Sequence, residues 1–441
     1  MIGRIPITAV TPTVDCGRFP AHSTVGATID IGATVFREGH DAVGANVLFR
    51  PAGPSAGGRR EPARPLLRML PGAPGTDQFR AQVSPDRIGA WTLQIEAWSD
   101  PLSSWRHAVE AKVAAGQDAA EMTNDLATGA ALLERIARRP GHAHRDVIRA
   151  AAAALRDATL PLAQRIGSAL AADLWPVLAA DPVRELVTRS DRYEIWVDRP
   201  LAEFGAWYEF FPRSAGAQIA SDGTPVRHGT FADAADELPR IARMGFDVVY
   251  LPPIHPIGEI GRKGRNNAVT AQPGDVGSPW AIGSRLGGHD AVHPALGTLA
   301  DFDAFVGRAE ELGLTVALDL ALQCAPDHPW VTEHPEWFTT RPDGSIAYAE
   351  NPPKKYQDIY PLNFDNDPQG LYREVLRIVE FWIGHGVTVF RVDNPHTKPV
   401  NFWQWLIAEV HRTHPEVVFL AEAFTRPAMM HTLAKVGFAQ S

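Results

Sequence analysis

Two carboxylates near the end of the sequence, Asp393 in FRVDNPHTKP and Glu422 in FLAEAF, each close an apolar run of strand type. Consecutive parallel strands lie side by side, so groups at their carboxyl ends can face one substrate. Retaining chemistry at the anomeric carbon of a sugar needs two carboxyl groups about 5 Å apart. One attacks the carbon, and the other protonates and then deprotonates the exchanging oxygen. Arg391 stands two residues before Asp393, which puts it on the same face of the strand, where charge and hydrogen bonding can hold Asp393 ionised. An isolated Asp at a strand end more often caps a loop. Its pairing with Arg391 and Glu422 turns the reading to catalysis.

The elements that must hold these groups begin at about Phe204, where apolar strands alternate with polar loops and helices. The expected strands are AWYEFF from Ala206, FDVVYLPP from Phe246, LTVALDLAL from Leu314, VTVFRVDN from Val387 and VVFLAEAF from Val417. Helices are expected at Phe231 to Met244, Leu299 to Leu312, Gln369 to His385 and Asn401 to His414. Strands that are apolar throughout imply a parallel sheet covered on both faces. Residues 191–441 therefore read as the N-terminal part of an α/β, TIM-type (β/α) barrel. It is incomplete in this chain, with about five strands where closure takes eight. Two connections are long, about 254–298 after the second strand and about 324–367 after the third. Long ordered loops at the carboxyl face usually build the site.

Upstream, residues 1–113 carry short alternating runs such as AVGANVLFR and AWTLQIEAWSD, the pattern of an all-β, Ig-like sandwich. The Pro-, Gly- and charge-rich stretch 51–65 reads as an exposed loop. Residues 114–190 turn Ala-rich with i, i+3, i+4 apolar spacing and read as a helical bundle inserted before the barrel. The chain is thus expected to be multidomain. Its net charge of −9, from 42 basic and 51 acidic side chains, comes with no basic run to track nucleic acid or an anionic bilayer. Two distant cysteines, Cys16 and Cys324, lack metal-ligand spacing and suggest reduced thiols. No metal and no cofactor are called for, and a cytoplasmic location is the default expectation.

The motifs that hold the candidate groups resemble those of the α-amylase superfamily. Asp319 in VALDLALQ resembles its third-strand motif, RVDN with Asp393 its fourth-strand nucleophile motif, and LAEAF with Glu422 its fifth-strand acid/base motif. HDAVHPALGTLADF is similar to the stretch before the third strand. Where amylases carry Asn-His after the third strand, this chain has Gln323 and Cys324, and NPHTK follows the nucleophile. Together with LPPIHPIG, GRKGRNN, QCAPDHPW and KKYQDIYP, these departures resemble the maltose 1-phosphate maltosyltransferases of bacterial α-glucan synthesis.

The resemblance implies transfer of maltosyl from maltose 1-phosphate to the non-reducing end of an α-1,4-glucan, with Asp393 as nucleophile and Glu422 as acid/base. It places Lys263, Gln323, Asp358 and Asn394 at the donor substrate. It further implies a homodimer, and a third catalytic Asp after a seventh strand, which would lie beyond residue 441. A hydrolase or trehalose-forming isomerase of the same superfamily, and a non-catalytic glucan-binding protein, remain alternatives. Trp330, Trp337, Tyr356 and Tyr360 could stack on sugar faces or form the third-strand loop's own core.

Overall fold

The computed structural model describes residues 2–52, 66–139, 144–222 and 225–441. Five apolar runs form one parallel sheet: β1 (Trp207–Glu209), β2 (Val248–Leu251), β3 (Thr315–Leu320), β4 (Val389–Asp393) and β5 (Val418–Glu422). They pair in chain order. Every residue of β2 is buried, and β3 is buried from Val316 to Leu320, as a sheet covered on both faces requires.

Between the strands run α1 (Phe231–Arg243), α2 (Leu299–Glu311), α3 (Pro368–Gly384) and α4 (Val400–Thr413). The first two begin alike. Thr230 and Thr298 accept from the backbone N–H of Asp233 and Asp301, whose carboxylates accept from the threonine N–H groups in return. Asp367 caps α3, with Pro368 at the first helical position. The inward stripe of α3 is Leu371, Val375, Ile378, Val379 and Trp382, spaced three to four residues apart. Trp382 also donates its indole N–H to the His289 carbonyl at 2.8 Å, which ties α3 to the connection after β2.

The connection after β3 has structure of its own. Gln323–Cys324 pairs antiparallel with Tyr360–Pro361, and Ala349–Asn351 forms a hairpin with Lys354–Tyr356. All these elements belong to a compact unit made of His22–Gly26, Pro85–Gly89 and Trp196–Ser441.

The other unit comprises Met1–Ala21, Ala27–Ser84 and Ala90–Ile195. One antiparallel sheet sets Ile29–Val35 between Ile7–Thr11 and Gln78–Val83. In another, Val43–Pro51 pairs with Gly89–Ser99, which also pairs with Glu185–Arg189. Burial alternates along the strands, at Ile29, Ile31, Ala33 and Val35 and at Trp91, Leu93 and Ile95, the period of a half-covered sheet. Five helices between Pro101 and Ala180 share a core that includes Leu126, Leu133, Ile148, Leu155 and Leu178. In chain order they lie between two strands of one sheet.

The helical segment starts at Pro101, upstream of the boundary expected at 114. Asp100 accepts from the Ser103 N–H at 3.0 Å and Pro101 takes the first helical position, so the chain turns helical directly after the strand. Most of the stretch expected as an exposed loop, 53–65, lies outside the described residues. Among the described residues no helix is long and apolar enough to cross a membrane.

Replacing Trp382 with Ala opens a cavity beneath α3 and leaves the His289 carbonyl without its donor. The expected loss is about 3–5 kcal/mol of unfolding free energy, read from urea midpoints. A loss below about 1 kcal/mol would show that α3 is not anchored there.

Candidate active site

Side chains alternate along a strand, so β4 presents Arg391 and Asp393 on one face. Register supplies their neighbours: Asp319 of β3 stands opposite Arg391, and Glu422 of β5 opposite Asp393. Adjacent strands are about 4.8 Å apart, so all four side chains meet. Arg391 Nη1 donates to Asp319 Oδ2 at 2.7 Å and to Asp393 Oδ1 at 3.0 Å, while Nη2 lies 2.7 Å from Glu422 Oε1. Asp393 and Glu422 occupy paired positions at the ends of β4 and β5. Neighbouring strands about 4.8 Å apart suit the short carboxyl separation of a retaining pair better than the wider one of an inverting pair.

The environment raises two of the three acids. Burial pushes Asp319 up to about 7, with Asp393 adding to the rise and Arg391, Tyr250 and Trp280 opposing it. Tyr250 donates its hydroxyl to Asp319 Oδ2, and burial next to that carboxylate keeps the phenol protonated far above its ordinary range. Burial also raises Glu422, and Asp393 raises it further against the pull of Arg391. Asp393 is buried and held by Arg391. Glu422 is more open, with 30% of its side chain exposed, enough for a substrate oxygen to reach it. A carboxyl raised in this way is suited to carry a proton beside a second, buried carboxyl.

Arg391, Asp393 and Glu422 open into a cavity of about 1010 Å³, whose wall also contains Lys263, Gln323, Asp358 and Asn394. The structure thus brings together all seven residues singled out in the sequence. Lys263 projects from the loop after β2, its ammonium 3.4 Å from Gln357 Oε1. Gln323 donates to the Trp280 carbonyl at 3.2 Å. Asp358 is buried and raised by burial, and its Oδ1 has no hydrogen-bond partner among the described residues. Asn394 adopts the left-handed conformation, φ 44° and ψ 53°, directly after the β4 carboxylate. With Tyr356 and Trp280 in the same wall, the cavity offers the donors, acceptors and ring faces that suit a polyhydroxylated ligand.

Tyr250, Trp280, His396 and Lys398 were not singled out in the sequence as site residues. Tyr250 reads as one more apolar strand residue, and its contact with Asp319 exists only across β2 and β3. Lys398 was visible in NPHTKP, but nothing there shows where its chain turns. Of the four loop aromatics, Trp330 and Trp337 are buried and pack edge-to-face, so they form the loop's core, while Tyr356 reaches the cavity.

His289, Cys324 and His328 place potential metal-ligand atoms within 4.8 Å of one another. Their hydrogen bonds fix the tautomers otherwise. His328 Nδ1 accepts from the Trp330 N–H at 3.0 Å, so its Nε2 carries the proton and donates to His289 Nδ1 at 3.2 Å. His289 Nε2 then donates to the Ala321 carbonyl at 2.9 Å. All four ring nitrogens are used. Burial pulls His289 down to about 4 and His328 to about 2, which keeps both rings neutral.

A family model described as alpha-1,4-glucan:maltose-1-phosphate maltosyltransferase, domain N/S, matches residues 3–199. An alpha-1,4-glucan:maltose-1-phosphate maltosyltransferase of Mycolicibacterium smegmatis is 59% identical across 100% of this chain. One of Mycobacterium tuberculosis is 57% identical, also across 100%. The chain spans 65% and 64% of the lengths of these two relatives. Among solved structures, an alpha-amylase from Lactobacillus plantarum aligns with 53% of this chain and 48% of its own, at 31% identity and a TM-score of 0.41.

Asp319 makes stability depend on pH with a definite sign. Its folded value of about 7 lies above the ordinary 3.8, so the folded state holds the extra proton between those values. The stability it contributes is present in acid and is lost as pH rises toward about 7. Asp319→Asn is therefore expected to flatten the decline in urea midpoint from about pH 5 to about pH 7.5. An unchanged slope would mean that Asp319 is ionised throughout.

Proposed function

We propose that the chain belongs to the alpha-1,4-glucan:maltose-1-phosphate maltosyltransferase family, and that the protein containing it transfers maltosyl from α-maltose 1-phosphate to the non-reducing end of an α-1,4-glucan with retention. In this reading the five-stranded sheet is the start of a (β/α) barrel, and the cavity at its carboxyl end is the donor site. A second copy of the chain is the natural protein partner, and the compartment is cytoplasmic.

The observation that carries the proposal is the three-way contact of Arg391 with Asp319, Asp393 and Glu422 at the cavity floor. Asp393 attacks the anomeric carbon, and the bond to the phosphate oxygen breaks with its electron pair leaving on phosphate. The product is a β-maltosyl ester of Asp393. Phosphate is a good leaving group, so this step asks little of Glu422. In the second step Glu422 takes the proton of the glucan 4-hydroxyl as that oxygen attacks the same carbon. The ester breaks and the α configuration returns.

The remaining wall residues divide binding between them. Lys263 is a compact cation in a glycine-bearing loop, suited to phosphate oxygens. Gln323 and Asn394 each supply a donor and an acceptor for sugar hydroxyls, and the unpartnered Asp358 Oδ1 supplies an acceptor.

The test is phosphate release from α-maltose 1-phosphate with glycogen, using the 441-residue chain and a form extended to the length of its relatives. Asp393→Ala is expected to lower the rate at least about 10³-fold. Glu422→Ala should release about one phosphate per site and then stall, with the mass of one maltosyl group added to the protein. Free maltose appearing in step with phosphate would favour hydrolysis. Tight glucan binding without any turnover would favour a binding protein.

A further inference from the structure

Arg391 touches all three carboxyl groups of the cluster, two of which burial raises. A second cation stands in the turn that follows Asp393. Lys398 Nζ donates to the backbone oxygens of Asp393 and Asn394, both at 3.3 Å, and its side chain lines the same cavity. That turn is under strain, because Asn394 is left-handed without being glycine. Its carbonyl accepts from the Thr397 N–H at 3.1 Å, from Thr397 Oγ1 at 2.8 Å and from Lys398. Trp403 pins the next carbonyl, that of Pro395, at 2.9 Å.

A methionine would fill the same space as the lysine stem, so packing alone does not explain a charge here. Burial pulls the Lys398 ammonium down to about 8, while Asp393, Asp319 and Glu422 pull it back up. The influence is mutual, because a cation near acidic groups favours their charged forms. His396, the other titratable group in the turn, is pushed down by burial and by Lys398 and so adds no competing charge near neutrality.

We propose that Lys398 is a positioning residue for glycosyl transfer. Its ammonium clamps the left-handed turn after the nucleophile through the Asp393 and Asn394 carbonyls and brings a second positive charge to the cavity that holds the carboxyl cluster. The assignment rests on the transferase reading above for its roles, but the charge argument applies to any retaining donor.

The experiment uses the protein at the length of its relatives, with Lys398→Gln, Lys398→Met and Lys398→Arg. Lys398→Gln keeps N–H donors for the clamp and loses the charge, Lys398→Met keeps only the stem, and Lys398→Arg keeps the charge. Turnover is followed from pH 5 to about pH 9 with α-maltose 1-phosphate and with α-maltosyl fluoride, a donor that a retaining site can use without recognising phosphate.

Whichever neutral variant folds, by circular dichroism and unfolding midpoint, is expected to move the acid limb of kcat/KM up by about one pH unit. Its kcat should fall about 10- to 100-fold with little change in KM, and Lys398→Arg should keep the limb within about 0.3 unit. A neutral variant with the wild-type limb, however slow, overturns the proposal. So does failure of both neutral variants to fold, which would make the lysine a structural group. Fluoride release without phosphate release by the wild type rejects the donor reading and leaves the Lys398 limb measurable. Silence with both donors rejects both.

Discussion

One guanidinium, Arg391, holds three carboxylates that approach from three adjacent strands. Carboxylates this close cannot all ionise in a poorly solvated site unless a cation is shared among them. Arg391 suits the task because its fork is planar and permanently charged, so Nη1 can serve Asp319 and Asp393 while Nη2 serves Glu422. Removing one partner from such a buried pair typically costs about 3–5 kcal/mol, because the groups left behind remain desolvated. The arrangement therefore depends on the sheet being right to the residue. A slip of one position on β4 would turn both Arg391 and Asp393 away from the cavity.

The register is held from below by apolar packing. Val248, Ala317, Val389 and Val418 come from four adjacent strands and share one core, and α1 to α4 supply the outer layer. That core fixes the strand ends to within a side chain's reach, which is what a reaction needing two carboxyls at one carbon demands.

The cavity walls are rigid for a different reason: the long connections carry cores of their own. Trp330 and Trp337 pack together, and Trp330 stacks on His289. At Gly283, with φ at +99°, a Cβ would come within 2.0 Å of the His328 ring, so only glycine lets that loop close over the imidazole. The neutral histidine pair then links two connections through ring-to-ring and ring-to-backbone hydrogen bonds. These loops are ordered walls that present Lys263, Gln323, Asp358 and Tyr356 from fixed positions.

The alternation of strands and helices from Phe204 onward was legible in the sequence because parallel strands are apolar throughout. Asp393, Glu422 and Arg391 were legible because they end or share such strands, and Lys263, Gln323, Asp358 and Asn394 through motif resemblance. The helix start at Pro101 was hidden, since a capping Asp-Pro after an alternating strand also reads as a turn. Other features required the tertiary structure. Tyr250 meets Asp319 only across a strand pair, Lys398 folds back onto the turn that precedes it, and the loop tryptophans turn inward while Tyr356 faces the cavity. Sequence specifies residue type and local period; which side chains share a desolvated volume, and so which charges must be balanced, is decided when strands far apart in the chain come together.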